Sequence, residues 1–375
     1  MEGDTTATTA SAPARTESAA WAPDVLGPDF EQLTLPLGED DEGEVVATLV
    51  RYVPPPREPR REPRWRWPWQ PAPEPEEPPA ASGADVLYVH GWSDYFFNPG
   101  IARFWADAGA RFFALDLRKY GRSLRDGQTP GYVTDLATYD ADIEAALAVM
   151  GHGRPETTTD AAGTAGPAAS ARPLVLMGHS TGGLTLSLWA DRNRGRAVAL
   201  VLNSPWLEFQ LRSIGRQAIS PVIEFGARVN PSRPLPNIDR GFYARSISRQ
   251  FDGEWEYDAR LRPDRGFPIH PAWLTAILAG HKAIDAGIDV GAPVLTLLSA
   301  RSTFQPRWDD AMLTSDTVLV VDDIARHAID LGSEVTVVRV DGALHDVFLS
   351  REPARAAAYA AIIRWLRGYA PTSGS

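Results

Sequence analysis

The chain has 375 residues, 44% of them hydrophobic, which suffices for one large α/β domain or two small ones. Its net charge of −11, from 37 basic against 48 acidic residues, argues against a nucleic-acid partner. The absence of cysteine excludes disulfides, thiol catalysis and thiolate metal sites, and fits a reducing, cytoplasmic setting.

Residues 1–28 are rich in Thr, Ala, Ser and Pro and predict a flexible tail; their polar, acidic start predicts no secretory signal. Glu31–Leu37 and Glu44–Tyr52 read as two strands joined by the acidic turn Gly38–Gly43, an antiparallel hairpin. Residues 54–79 interleave prolines with arginines and with Trp65, Trp67 and Trp69. This insert reads as a stiff surface connector; the alternative is a basic-aromatic docking segment, which the acidic Glu74, Glu76 and Glu77 weaken. Asp85–Val89 is a strand running into His90-Gly91-Trp92. A helix over Ile101–Ala108, a strand over Arg111–Asp116 and a helix over Leu136–Met150 follow. Residues 151–172 are Gly/Thr/Ala-rich and read as a second insert.

Pro173–Met177 is a short apolar run, and Leu184–Ala190 carries apolar residues at helical spacing. Between them lies Gly178-His179-Ser180-Thr181-Gly182, a G-x-S-x-G run. A serine on a sharp strand-to-helix turn is forced into strained geometry, and the flanking glycines let helix and strand approach closely. Its hydroxyl is then presented above the sheet to a base. Taken alone, the pentapeptide is a moderate signal, with a Gly-rich turn without chemistry as the competing reading.

The remaining parts of such a site follow in order. An oxyanion needs backbone donors, predicted at Trp92, where Gly91 permits close approach, and at Thr181. His90 and Gly91 then sit beside the substrate. The base is expected beyond the last strand, Glu334–Val340, and His345 stands there. The acid is expected after the strand Pro293–Leu298. Asp316 is favoured, with Asp310 and Asp322 as alternatives, and a turn cap as its plainer role.

Strands alternating with helices predict a mostly parallel sheet with helices on both faces, preceded by the antiparallel hairpin. Its core spans 29–205 and 286–370. Residues 206–285, too long for an ordinary connection, predict a helical cap over the C-terminal strand ends. Trp206, Phe209, Phe225, Phe242 and Trp273 are candidates to line a pocket beneath it, with a small core of the cap as the competing role. Pro353–Tyr369 predicts a closing helix.

His90-Gly91-Trp92, Asp116–Ser123, the Ser180 pentapeptide and Gly342–Asp346 together resemble the α/β-hydrolase superfamily over residues 30–368. More narrowly, the chain resembles its serine aminopeptidase S33-type and monoacylglycerol lipase- or lysophospholipase-like branch. The resemblance implies Ser180 as nucleophile, His345 as base, and Trp92 and Thr181 as oxyanion donors. It implies a serine hydrolase of carboxylic esters, acting through an acyl-enzyme on small-molecule acyl esters of the monoacylglycerol or lysophospholipid kind, with no cofactor and no metal. Thioester hydrolysis or acyl transfer is an alternative. So is an aminopeptidase, with Glu208, Glu224, Glu254 and Glu256 holding a free amine. A non-catalytic, ligand-binding member of the fold is a third. No uninterrupted apolar run of about 18 residues predicts a membrane span; transient contact with a membrane surface stays open.

Overall fold

The computed structural model describes residues 20–56, 77–153, 172–209, 230, 233–236 and 239–369. Among them, nine strands form one sheet in the order β1-β2-β3-β5-β4-β6-β7-β8-β9. β1 (Ala22–Asp24), β2 (Gly27–Asp40) and β3 (Gly43–Tyr52) are antiparallel neighbours, and β3 pairs antiparallel with β5 (Arg111–Asp116). From β5 onward every pairing is parallel, through β4 (Asp85–Val89), β6 (Leu174–His179), β7 (Ala199–Asn203), β8 (Val294–Ser299) and β9 (Val335–Val340). The expected mostly parallel sheet with an N-terminal hairpin is therefore present.

Side-chain alternation along the strands divides the interior in two. Leu87 and Leu176 face one core, Val86, Val175 and Met177 the other. The first is covered by α2 (Tyr139–Met150), α3 (Thr181–Arg192) and α5 (Pro271–Asp285), which contribute Leu147, Trp189 and Trp273. The second is covered by α1 (Pro99–Asp107) and α7 (Glu352–Tyr369), through Trp105 and Trp365. Each large apolar side chain buried in this way contributes about 1.5–3 kcal/mol. The connection between β7 and β8 holds α4 (Phe242–Ile247) as well as α5. A helix α6 (Val321–Ala328) follows β8.

Two boundaries differ from expectation. Residues 22–28 belong to the sheet and not to the expected tail, because β1 pairs with β2 and Asp24 takes the guanidinium of Arg122 at 2.6 and 2.9 Å. An ion pair across 98 positions leaves no trace in local composition. The hairpin strands also run further than their apolar cores, leaving only Asp41 and Glu42 as the turn. Most of the two inserts, at 57–76 and 154–171, lies outside the described residues. No helix among the described residues is long and apolar enough to cross a membrane.

The N-terminal ends of the central strands are tied by one buried carboxylate. Asp85 accepts from Arg111 at 2.7 and 2.5 Å, from Arg172 at 2.6 Å and pairs with His152 Nε2 at 2.9 Å. Those partners lie on β5, on the lead-in to β6 and just past the end of α2. Burial opposes the charge, but the three hydrogen bonds outweigh it and hold the carboxyl well below the usual range. The folded pKa is thus lower than the unfolded value of 3.8, so the stabilisation is present above that value and lost as pH falls below it. Asp85→Asn should cost roughly 2–3 kcal/mol in urea unfolding at pH 7, discounted for the half-exposed arginines. The difference from the parent should shrink at pH 3.

Candidate active site

Ser180 stands between β6 and α3 with φ 52° and ψ −118°. Such a left-handed conformation is costly for a residue with a Cβ, and here the surroundings fix it. Its N–H donates to Asn203 O at 3.1 Å. Its carbonyl accepts from the N–H groups of Gly183 at 3.0 Å, Leu184 at 3.2 Å and Trp206 at 3.0 Å. The glycines supply clearance. A Cβ on Gly178 would lie 2.7 Å from Gly183 Cα, and one on Gly182 would strike the carbonyl oxygens of Val89 and His90. The first turn of α3, which Thr181 opens, therefore packs against the end of β4.

His345 lies on the loop after β9 and is buried. Its Nδ1 is 2.9 Å from Asp316 Oδ2. Asp316 is fully buried, and its Oδ1 accepts from the N–H groups of Val318 at 2.7 Å and Leu319 at 2.8 Å. The long excursion after β8 returns to its own start. Asp316 N–H donates to Arg301 O at 3.0 Å, and Thr303 N–H donates to Asp316 O at 2.8 Å. This small parallel bridge brings Asp316 back beside the strand end despite the loop's length. The alternatives sit elsewhere. Asp310 accepts from Trp308 Nε1 at 3.1 Å, and the exposed Asp322 pairs with Arg339 at 2.7 Å. With Nδ1 turned to a carboxylate, Nε2 is the basic nitrogen of His345.

Ser180, His345 and Trp92 line one cavity of about 770 Å³. Trp206, Phe209 and Phe242 also line it. Trp273 instead packs tilted against Trp92 with ring centroids 3.7 Å apart and is buried in the core, and Phe225 lies outside the described residues. His90 and Gly91 do not line the cavity, contrary to their expected place beside the substrate. His90 Nε2 accepts from Leu117 N–H at 3.1 Å, so its ring braces β5 against β4 from within the wall. Gly91 is pressed against His179 and Ser180, where a Cβ would meet both at 3.0 Å.

Two features of the wall lie outside the site residues expected from the sequence. Arg262 Nε lies 3.1 Å from Asp94 Oδ1, with each side chain 7% exposed, and the rings of Tyr243 and Tyr257 flank the guanidinium. Burial opposes the Arg262 charge, but Asp94 outweighs it and keeps the guanidinium protonated. His179, whose ring centroid lies 4.9 Å from that of His345, has its pKa lowered by burial; its Nδ1 bonds Asn203 O at 3.0 Å. Asp94, two residues past Trp92 in a strand-end loop, could have been singled out by position; Arg262 could not.

Outside the cavity, Glu208, Asp285 and His327 bring one ligand atom each within 4.8 Å of one another. His327 lies between the two carboxylates at 3.3 Å on either ring nitrogen, a polar contact between the two ends of the β7–β8 connection and α6.

The family model for serine aminopeptidase, S33, matches residues 80–297. A curated monoacylglycerol lipase from Mycolicibacterium smegmatis is 26% identical over 160 residues, 41% of this chain and 48% of the relative. The chain thus spans about half the length of the curated relative it matches. The crystal structure of Paleococcus ferrophilus monoacylglycerol lipase superposes with a TM-score of 0.53 at 19% identity, covering 76% of this chain and 96% of that one. A soluble variant of the Saccharomyces cerevisiae monoglyceride lipase does so at 0.50 and 13%, covering 89% and 95%. At these identities the structural likeness establishes the α/β-hydrolase fold alone.

The glycine clearances give a direct check. Gly182→Ala should destabilise the protein by roughly 1–3 kcal/mol, because both obstructing groups are backbone carbonyls of a central strand end. Urea unfolding of the variant against the parent measures it.

Proposed function

The chain belongs to the serine aminopeptidase S33 family of hydrolases, and we propose that it is a serine hydrolase cleaving carboxylic esters through an acyl-enzyme. The observation that carries this reading is the 2.9 Å contact of His345 Nδ1 with buried Asp316, while His345 and Ser180 face the same cavity. Asp316 holds the imidazole in the tautomer whose Nε2 takes the Ser180 proton as the hydroxyl attacks the carbonyl carbon. The N–H groups of Trp92 and Thr181 stabilise the tetrahedral oxyanion, each such donor contributing about 10²–10³ in rate. His345 then protonates the leaving alcohol, and later takes a proton from the water that releases the acid.

The substrate class we propose is an acyl ester of the monoacylglycerol or lysophospholipid kind. Trp206, Phe209 and Phe242 offer an apolar wall to an acyl chain, and the relative from M. smegmatis is a monoacylglycerol lipase. The aminopeptidase alternative has less support. Glu254 pairs with Arg355, Glu256 with Arg249, and Glu208 with His327, and none of the three lines the cavity; Glu224 lies outside the described residues. The aspartates that do line it are accompanied there by Arg240, Arg262 and Arg265.

Ser180→Ala should abolish labelling by a fluorophosphonate probe and burst acylation by a p-nitrophenyl ester, with the thermal midpoint kept. Full turnover in that variant would overturn the reading. Asp316→Asn should lower kcat by roughly 10³–10⁴-fold, while Asp310→Asn and Asp322→Asn stay near the parent rate. A series of monoacylglycerols and lysophospholipids of varied chain length then ranks kcat/KM.

A further inference from the structure

Ser180 and His345 are delivered by strands that do not touch. β6 leads to the serine and β9 to the histidine, and β7 and β8 separate them. Asn203, the last residue of β7, bonds to both deliveries and is fully buried. Its backbone carbonyl accepts the Ser180 N–H at 3.1 Å and faces His179 Nδ1 at 3.0 Å. Its side chain reaches the other way. Oδ1 accepts the Val347 N–H at 3.0 Å, and Nδ2 donates to Asp346 Oδ1 at 2.7 Å.

Asp346 directly follows His345 and is itself buried, at 3% exposure. Its Oδ1 also accepts the Phe348 N–H at 2.8 Å, and its own N–H donates to Tyr243 Oη at 3.2 Å. Burial keeps the Tyr243 phenol neutral, with its pKa raised well above the ordinary value. The residue before His345 is held as well, Leu344 N–H donating to Ser350 Oγ at 2.8 Å. The loop is therefore rigid in itself. Its direct side-chain hydrogen bonds to the strand that also anchors the Ser180 backbone are those of the Asn203 amide.

We infer that Asn203 is a positioning residue, which through Asp346 and Val347 sets the distance from the His345 imidazole to the Ser180 hydroxyl. The inference rests on the proposed roles of Ser180 and His345 and adds to them the residue that joins their two supports. A displacement on the order of 1 Å between reacting groups can cost about a hundredfold in rate without weakening substrate binding. Donor and acceptor are also specified. An amide at 203 places N–H opposite the Asp346 carboxylate, whereas a carboxylate there would repel it.

The test is a swap of the two side chains in the full-length protein. Asn203→Asp should lower kcat for a p-nitrophenyl ester by about 30–100-fold, with KM within about twofold, and slow fluorophosphonate inactivation in parallel. Asp346→Asn added to Asn203→Asp removes the facing carboxylates, but the new amide must still offer Oδ1 to the Phe348 N–H, so it should recover only part of kcat. Asp346→Asn alone keeps the shape, weakens the bond, and should lower kcat by about threefold to tenfold. Should Asn203→Asp not fold, this milder variant decides the matter. A purely structural role predicts a lower thermal midpoint in Asn203→Asp with kcat per folded molecule unchanged. That result, or unchanged kcat in Asp346→Asn, overturns the inference while the serine-hydrolase reading survives. A parent protein inert to both ester and probe overturns both.

Discussion

A single residue with a Cβ held at positive φ organises the centre of this molecule. The left-handed conformation of Ser180 costs on the order of 1–3 kcal/mol and survives only because its neighbours over-determine it. Three N–H groups converge on its carbonyl, and its own N–H is fixed to β7. The same constraint dictates what surrounds it. Gly178 and Gly182 must lack side chains so that α3 can start against the end of β4, and Gly91 must lack one to lie against Ser180 itself. Strand, turn and helix are thus one rigid part, and the cavity is built around the spot where the hydroxyl emerges.

Charge is distributed by the same logic. At the N-terminal strand ends, Asp85 gathers two arginines and a histidine and knits β4 to β5 and to the lead-in of β6. Along the edge, Arg122 is shared by Asp24 and Asp116 and clips β1 to the body of the sheet. At the C-terminal ends two buried polar pairs lie at the cavity: Asp316 with His345, and Asp94 with Arg262. A buried carboxylate without a partner would be costly, and each of these has one.

The cavity wall comes from two sources of different character. Trp92, Ser180 and His345 lie on loops that leave strand ends, so their positions follow from the sheet. Phe242, Tyr243 and Arg262 come from the connection between β7 and β8, which is fastened to the strand-end loops by discrete bonds. Phe267 N–H donates to Ser93 Oγ at 3.0 Å, Asp258 N–H to Tyr95 Oη at 2.9 Å, and Trp255 Nε1 to Leu349 O at 2.8 Å. The part of the wall that the connection supplies can therefore change with its sequence while Ser180 and His345 stay in place.

Much of this was legible along the chain, for identifiable reasons. The strands and helices announce themselves through apolar period, and the elbow through glycines that only a close backbone approach requires. Ser180 and His345 stand out because each is a reactive residue type just beyond such a strand. His90 was misplaced because its partner, the Leu117 N–H, lies 27 residues on, and a histidine beside an expected oxyanion loop looks free. Asp316 was favoured over Asp310 and Asp322 along the chain, but its contact with His345 depends on the backbone bridge that folds its loop back beside β8. Arg262 and Asn203 were invisible: their partners lie 168 and 143 residues away. Periodicity and glycine placement are local properties, so the sequence by itself determined the elements, their order and the strand ends that carry reactive side chains. Which buried polar group meets which other is settled by packing between distant segments, where an unmatched donor or acceptor is penalised, and that only the tertiary structure decided.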